Sequence, residues 1–302
     1  MRALSKTFMQ DLQHGNLYKL LKTVKSDETL CLEIRENYIN IYYRGGNILR
    51  VAEVSEKYIF NFDQKYCIDN SGLWETLDTS RFTCLGDYIE NLPFIKREMD
   101  NWFAQNPKVE REFQQLILRE NNTSPISDDT DYFISDIEYA NSENKSRFDM
   151  TGIRWLSNSE GRKNINAPIL SIFEVKYGDG AMTGSAGIVK HFADIEKFID
   201  SGKLHDLRKE VETQFNQKVR LGLMGRMSRE ITINSDAVPE FIMICANHKP
   251  ASIIMKRELQ KAIGDHPNLA DKIDVKVAKS SLMGYGLYAT NMIPIKQFLG
   301  EC

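Results

Sequence analysis

The run Pro168-Ile-Leu-Ser-Ile-Phe-Glu-Val-Lys-Tyr177 constrains the fold more than any other stretch of this chain. It reads as a strand and is mostly apolar, yet it carries Glu174 and Lys176, which at i and i+2 project from one face. Two ionisable groups in an apolar strand cost several kcal/mol unless they pair or bind a metal. A second strand-like run, Ser146 to Leu156, brings in Asp149. The chain therefore needs a sheet that can hold three charged groups on adjacent strands.

At 302 residues and 42% hydrophobic content there is enough material for one large or two medium domains with a real core. No run of about 18 apolar residues occurs. The Met1-Arg-Ala-Leu-Ser-Lys6 start lacks the apolar stretch of a signal peptide. A soluble, cytoplasmic protein with no membrane partner is expected. The five cysteines (Cys31, Cys67, Cys84, Cys245, Cys302) are scattered, which suggests core thiols, not disulfides or a zinc site. A net charge of -3 gives no global basic signature, so any nucleic-acid surface must be local.

Apolar spacing predicts one or two short helices over 5–25. Strands follow at 30–35, 38–43, 48–53 and 58–62, separated by turns at Glu36-Asn37, Gly45-Gly46 and Ser55-Glu56. This is an antiparallel meander. Helical pattern returns over 85–121, interrupted near Pro93 and Pro107. Strands are then expected at 132–139, 147–156 and 169–177, followed by helices over 184–200 and 203–221. A buried strand at 238–246, a helix over 252–263, a short strand at 275–277 and turns around Gly284-Tyr-Gly286 complete the pattern.

A helix, three strands with Asp on the second and Glu-x-Lys on the third, then a helix and a buried strand, resembles the PD-(D/E)XK nuclease superfamily. The matching residues are Asp149, Glu174 and Lys176; the resemblance covers roughly 107–250. Phe148 stands where the superfamily usually has Pro. The resemblance implies an α/β (α+β) fold: a restriction-endonuclease-like core of mixed sheet flanked by helices, occupying 106–302. The helix and β-meander of 1–105 precede it, with no role assigned.

The resemblance implies a metal-dependent nuclease, with DNA the favoured substrate. Asp149 and Glu174, with the Val175 carbonyl, would hold Mg²⁺, for which Mn²⁺ can substitute, and Lys176 would assist the attacking water. Glu112 is the first choice for a further carboxylate on the preceding helix, with Glu120 second. Both also suit exposed helix pairs with Lys108, Arg111 or Arg119. Glu138, in alternation with Ile134 and Asp136, is a further ligand candidate. Lys190 and His191 are candidates for phosphate contact, although His191 could equally pair with Asp194 on a helix surface.

The glycines of 178–187 suit a mobile loop or a close approach to phosphate, and they lack the ending of a Walker loop. A basic excess over 203–229 is either a phosphate surface or a solvated face. Tyr42, Tyr43, Arg44 and Arg50 could grip nucleic acid or simply pack. The competing expectation is a catalytically silent nucleic-acid-binding or regulatory module that retains the fold. A homodimer or a partner protein, and a role in defence, stay open.

Overall fold

Ser5 caps the first helix, its hydroxyl accepting from the Phe8 amide at 3.0 Å. In the computed structural model, residues 1–67, 77–141, 146–249, 252–280 and 285–300 are described. The chain divides into two units, Met1–Gln115 and Leu116–Cys302. The division falls inside a helix, whereas the sequence placed it at 105/106.

In the first unit, α1 (Lys6–His14) and α2 (Tyr18–Ser26) precede β1 (Leu30–Ile34), β2 (Tyr38–Tyr43), β3 (Gly46–Val54) and β4 (Lys57–Asn61). The strands form the expected four-stranded antiparallel meander. The β2–β3 turn is Arg44-Gly45, both at positive φ, because Tyr43 already pairs with Gly46. Next come α3 (Leu85–Glu90), α4 (Leu92–Gln105), with Pro93 in its first turn, and α5 (Val109–Asn122), which the unit boundary divides.

The second unit holds β5 (Tyr132–Ala140), β6 (Arg147–Arg154), α6 (Ser159–Lys163), β7 (Ile169–Tyr177), α7 (Ile188–Asp200), α8 (Leu204–Leu221) and β8 (Glu240–Ala246). It continues through α9 (Ile254–Asp265), α10 (Leu269–Lys272), β9 (Asp274–Ser280), β10 (Ile293–Pro294) and α11 (Ile295–Leu299). Its six-stranded sheet runs β10-β9-β8-β7-β6-β5. Strands β5 to β7 are antiparallel, β7 to β9 parallel, and β10 antiparallel to β9. A parallel pair needs a long crossover, supplied by α7 and α8 between β7 and β8 and by α9 and α10 between β8 and β9.

Strand β8 is buried along its length, as its continuous apolar run requires of a strand paired on both edges. Phe192, Ile195 and Phe198 of α7 and Val211 and Phe215 of α8 pack with Ile172, Phe241, Met243 and Val277 of the sheet. The Phe192 and Phe241 rings meet edge to face, their centroids 5.4 Å apart. Alternation along β7 puts Glu174 and Lys176 on the face of Ile172, toward these helices.

Two sequence expectations change. The helix expected from 184 begins at Ile188, and the glycine-rich stretch before it is built from 3-10 turns at Asp179–Met182 and Gly184–Ala186, with Met182 fully buried. The short helices α6, α10 and α11 carry too few residues to show a period. The turn expected at Gly284-Tyr-Gly286 begins outside the described residues. Among the described residues, no helix is long and apolar enough to cross a membrane.

Candidate active site

The β6–β7 ladder runs from Arg154↔Ile169 to Met150↔Phe173, and Asp149 is the next residue of β6. Its side chain meets β7: Asp149 Oδ2 accepts from the Val175 amide at 2.8 Å. A strand residue directs its N–H and C=O to the same neighbour, so the Val175 carbonyl faces the Asp149 side as well. Glu174 is 1% exposed and Lys176 4%. Across the parallel pair with β8, Glu174 lies beside Met243 and Lys176 beside Cys245.

Asp149 and Glu174 are hydrogen-bonded to each other, which two carboxylates can do only by sharing a proton. Burial first, and then the negative charge and hydrogen bond of Glu174, push the Asp149 carboxyl from its ordinary 3.8 to about 8. The Val175 amide and the Lys176 charge oppose that rise.

His191 comes to the same carboxylate from α7. Its Nδ1 lies 3.0 Å from Glu174 Oε2, and its Nε2 is 3.2 Å from the Ala186 carbonyl oxygen. The Nδ1–Oε2 approach is at ion-pair distance without the alignment of a hydrogen bond. Burial, and then the positive charge of Lys176, lower the pKa of His191 below its ordinary value. The chain reaches this arrangement through Gly187. A Cβ there would lie 2.5 Å from the Met182 carbonyl oxygen, so only glycine lets the 3-10 turns close onto the start of α7.

Glu138 does not follow the simple alternation expected for it. A bulge inserts Ser135 between Ile134 and Asp136, and Glu138 itself has φ +56°. The flanking pairs Ile137↔Met150 and Tyr139↔Phe148 place Glu138 across from Asp149, a register the bulge creates. Asn122 of α5 holds the bulge, donating to the Ile134 carbonyl at 2.7 Å and accepting from the Ile134 amide at 2.9 Å. Opposite Ile134 stands Gly152, where a Cβ would lie 2.1 Å from the Phe133 carbonyl oxygen.

The other candidates have other surroundings. Glu112, in the first unit, pairs with Arg44, whose Nε is 2.9 Å from its Oε1; Arg44 also pairs with Asp100 at 2.9 Å. Glu120 is half-buried on α5 and falls in the second unit. Eight residues along one helix separate Glu112 and Glu120 by about 12 Å, so the two cannot serve one ion. Lys190 pairs with Asp194 one turn on.

The basic stretch is largely committed within the fold. Lys218 is buried, Arg220 grips Glu230 through two hydrogen bonds of 2.7 and 2.6 Å, and Arg208 donates to the Ala237 carbonyl. In the meander, Tyr42 is buried and the Tyr43 hydroxyl bonds Asp100 at 3.0 Å, while Arg50 stacks over Tyr38, its guanidinium carbon 4.0 Å from the ring centroid.

A buried cluster around Glu240 escaped the sequence reading. Glu240 Oε1 lies 2.8 Å from Arg154 Nε and 2.6 Å from Lys276 Nζ, and its Oε2 accepts from the Tyr132 hydroxyl at 3.1 Å and the Ser171 hydroxyl at 3.2 Å. The signal was a lone Glu opening the apolar run 240–246, with its partners far away in sequence.

Among the described residues, no three His, Cys, Asp or Glu side chains are arranged to hold a metal ion. The donor set nevertheless fits a hard divalent cation in part: two carboxylates now joined by a proton, and a backbone carbonyl facing the same gap. Comparison with family models, curated proteins and solved structures found no match to this chain.

Proposed function

We propose that this protein is a metal-dependent nuclease of the PD-(D/E)XK kind, hydrolysing phosphodiester bonds of nucleic acid, with DNA the favoured substrate. The observation that carries the proposal is the pairing of Asp149 with Glu174 inside an apolar sheet, with Lys176 two residues on along the same face. The element order α5, β5, β6, β7, α7, α8, β8 supports a restriction-endonuclease-like core.

Asp149 and Glu174, with the Val175 carbonyl, are the groups that would hold Mg²⁺ or Mn²⁺. The bound cation supplies charge stabilisation at phosphorus and lowers the pKa of an attacking water. Lys176, an ammonium held in a buried strand, donates toward that water or toward the developing negative oxygen. Burial excludes bulk solvent and strengthens each of these interactions.

Purified protein incubated with supercoiled plasmid, single-stranded DNA and RNA, with Mg²⁺, Mn²⁺ or chelator, tests the proposal. Metal-dependent cleavage that falls about a hundredfold or more in Glu174→Ala and in Lys176→Ala supports it. Cleavage that survives both substitutions contradicts it. A catalytically silent nucleic-acid-binding module is the second reading, favoured by the lack of a three-ligand cluster among the described residues. It requires binding without cleavage of any of these substrates.

A further inference from the structure

His191 faces two acceptors. The Ala186 carbonyl oxygen, 3.2 Å from Nε2, has no proton to give, so Nε2 carries the proton of the neutral imidazole. Nδ1 then presents its lone pair to Glu174 Oε2 at 3.0 Å. A lone pair directed at a carboxylate oxygen is held apart from it unless a proton or a cation lies between them. The ring is fixed in this orientation from its far side, since the Ala186 carbonyl belongs to the turn that Gly187 closes.

From this geometry we infer that His191 is a nitrogen donor to the cation of the Asp149–Glu174 site, so that the site prefers Mn²⁺ or Co²⁺ to Mg²⁺. The inference rests on the reading of those two carboxylates as cation ligands. Imidazole suits the later first-row ions, whereas Mg²⁺ favours oxygen donors and retains its waters. Because no three donors are arranged around a point among the described residues, binding has to replace the proton that Asp149 and Glu174 share. A nitrogen donor beside Glu174 favours the ions that take mixed oxygen and nitrogen ligands. His191 thereby sets which cation the site takes, a different role from the phosphate contact considered from sequence.

The test measures cation binding separately from cleavage. Calorimetric titration of the full chain with MnCl₂ and with MgCl₂ should show Mn²⁺ bound more tightly. His191→Gln should lose about tenfold or more in Mn²⁺ affinity while Mg²⁺ affinity changes little. Glu174→Gln should weaken both ions. Electron spin-echo spectroscopy of the Mn²⁺-loaded wild-type chain gives a second readout that needs no variant: coupling to an imidazole nitrogen is expected. Absence of that coupling, or equal Mn²⁺ affinity in wild type and His191→Gln, overturns the inference. Cation binding with nitrogen coupling but no cleavage leaves His191 as a ligand and removes the nuclease proposal instead. Cleavage with oxygen-only coupling does the reverse.

Discussion

Glu174 and Glu240 lie on neighbouring strands of one sheet, each about 1% exposed. The register sets Glu240 beside Ser171, three residues before Glu174, about 10 Å along the strand and on the opposite face. Around Glu240 the fold gathers an arginine, a lysine and two hydroxyls, so its charge is matched by donors on both oxygens. Glu174 instead shares a proton with a second acid and faces a histidine nitrogen. A buried carboxylate that only supports the fold is surrounded by donors. The acid–acid pair lacks that compensation, and it is the place in the sheet where a cation would improve the electrostatics.

The largest expected effect lies at the compensated site. Glu240→Ala leaves Arg154 and Lys276 buried without their carboxylate and should cost about 3–5 kcal/mol in urea unfolding. Asp149→Asn should instead be neutral or stabilising by about 1–3 kcal/mol near pH 8 in the absence of divalent cation. If the two substitutions cost the same, the contrast between the clusters is broken.

A smaller effect follows from pH. The folded-state pKa of Asp149 is raised from 3.8 to about 8, so the native state holds this proton more tightly than the unfolded chain does. The stability it contributes is fully present below about pH 4 and is lost as pH rises toward 8. Denaturation midpoints of the cation-free protein should therefore fall over that window, and Asp149→Asn should flatten the fall. The smallest effect is expected at Glu112, whose ion pair with Arg44 is about 37% exposed on both sides. Glu112→Ala should cost less than about 1 kcal/mol. If it also left cleavage unchanged, the first sequence choice for a further catalytic carboxylate would be removed.

Much of this was legible in the sequence because it is local. The four meander strands, the three strands carrying Asp149, Glu174 and the bulge, and the apolar β8 all announce themselves by period and β-branched content. What stayed hidden depends on residues distant in sequence. Ser135 as an extra residue, and with it the placement of Glu138 across from Asp149, depends on Asn122 holding the bulge from α5. The compensation of Glu240 is assembled from β5, β6, β7 and β9. Arg44 claims Glu112 across 68 positions of chain, which no helical wheel could show. His191 was visible as a residue on the right helix, but its contact with Glu174 follows from the 3-10 turns that Gly187 permits.

The central claim is that the Asp149–Glu174 pair awaits a cation. Its most direct test is the melting temperature of the cation-free protein at neutral pH as MnCl₂ is added, for wild type and for Glu174→Gln. A ligand that binds only the folded state stabilises it by about 2.7 kcal/mol at a hundred times its Kd. The account predicts a saturable rise in wild type that is lost in Glu174→Gln. An unchanged wild-type melting temperature, or the same rise in both proteins, would contradict it.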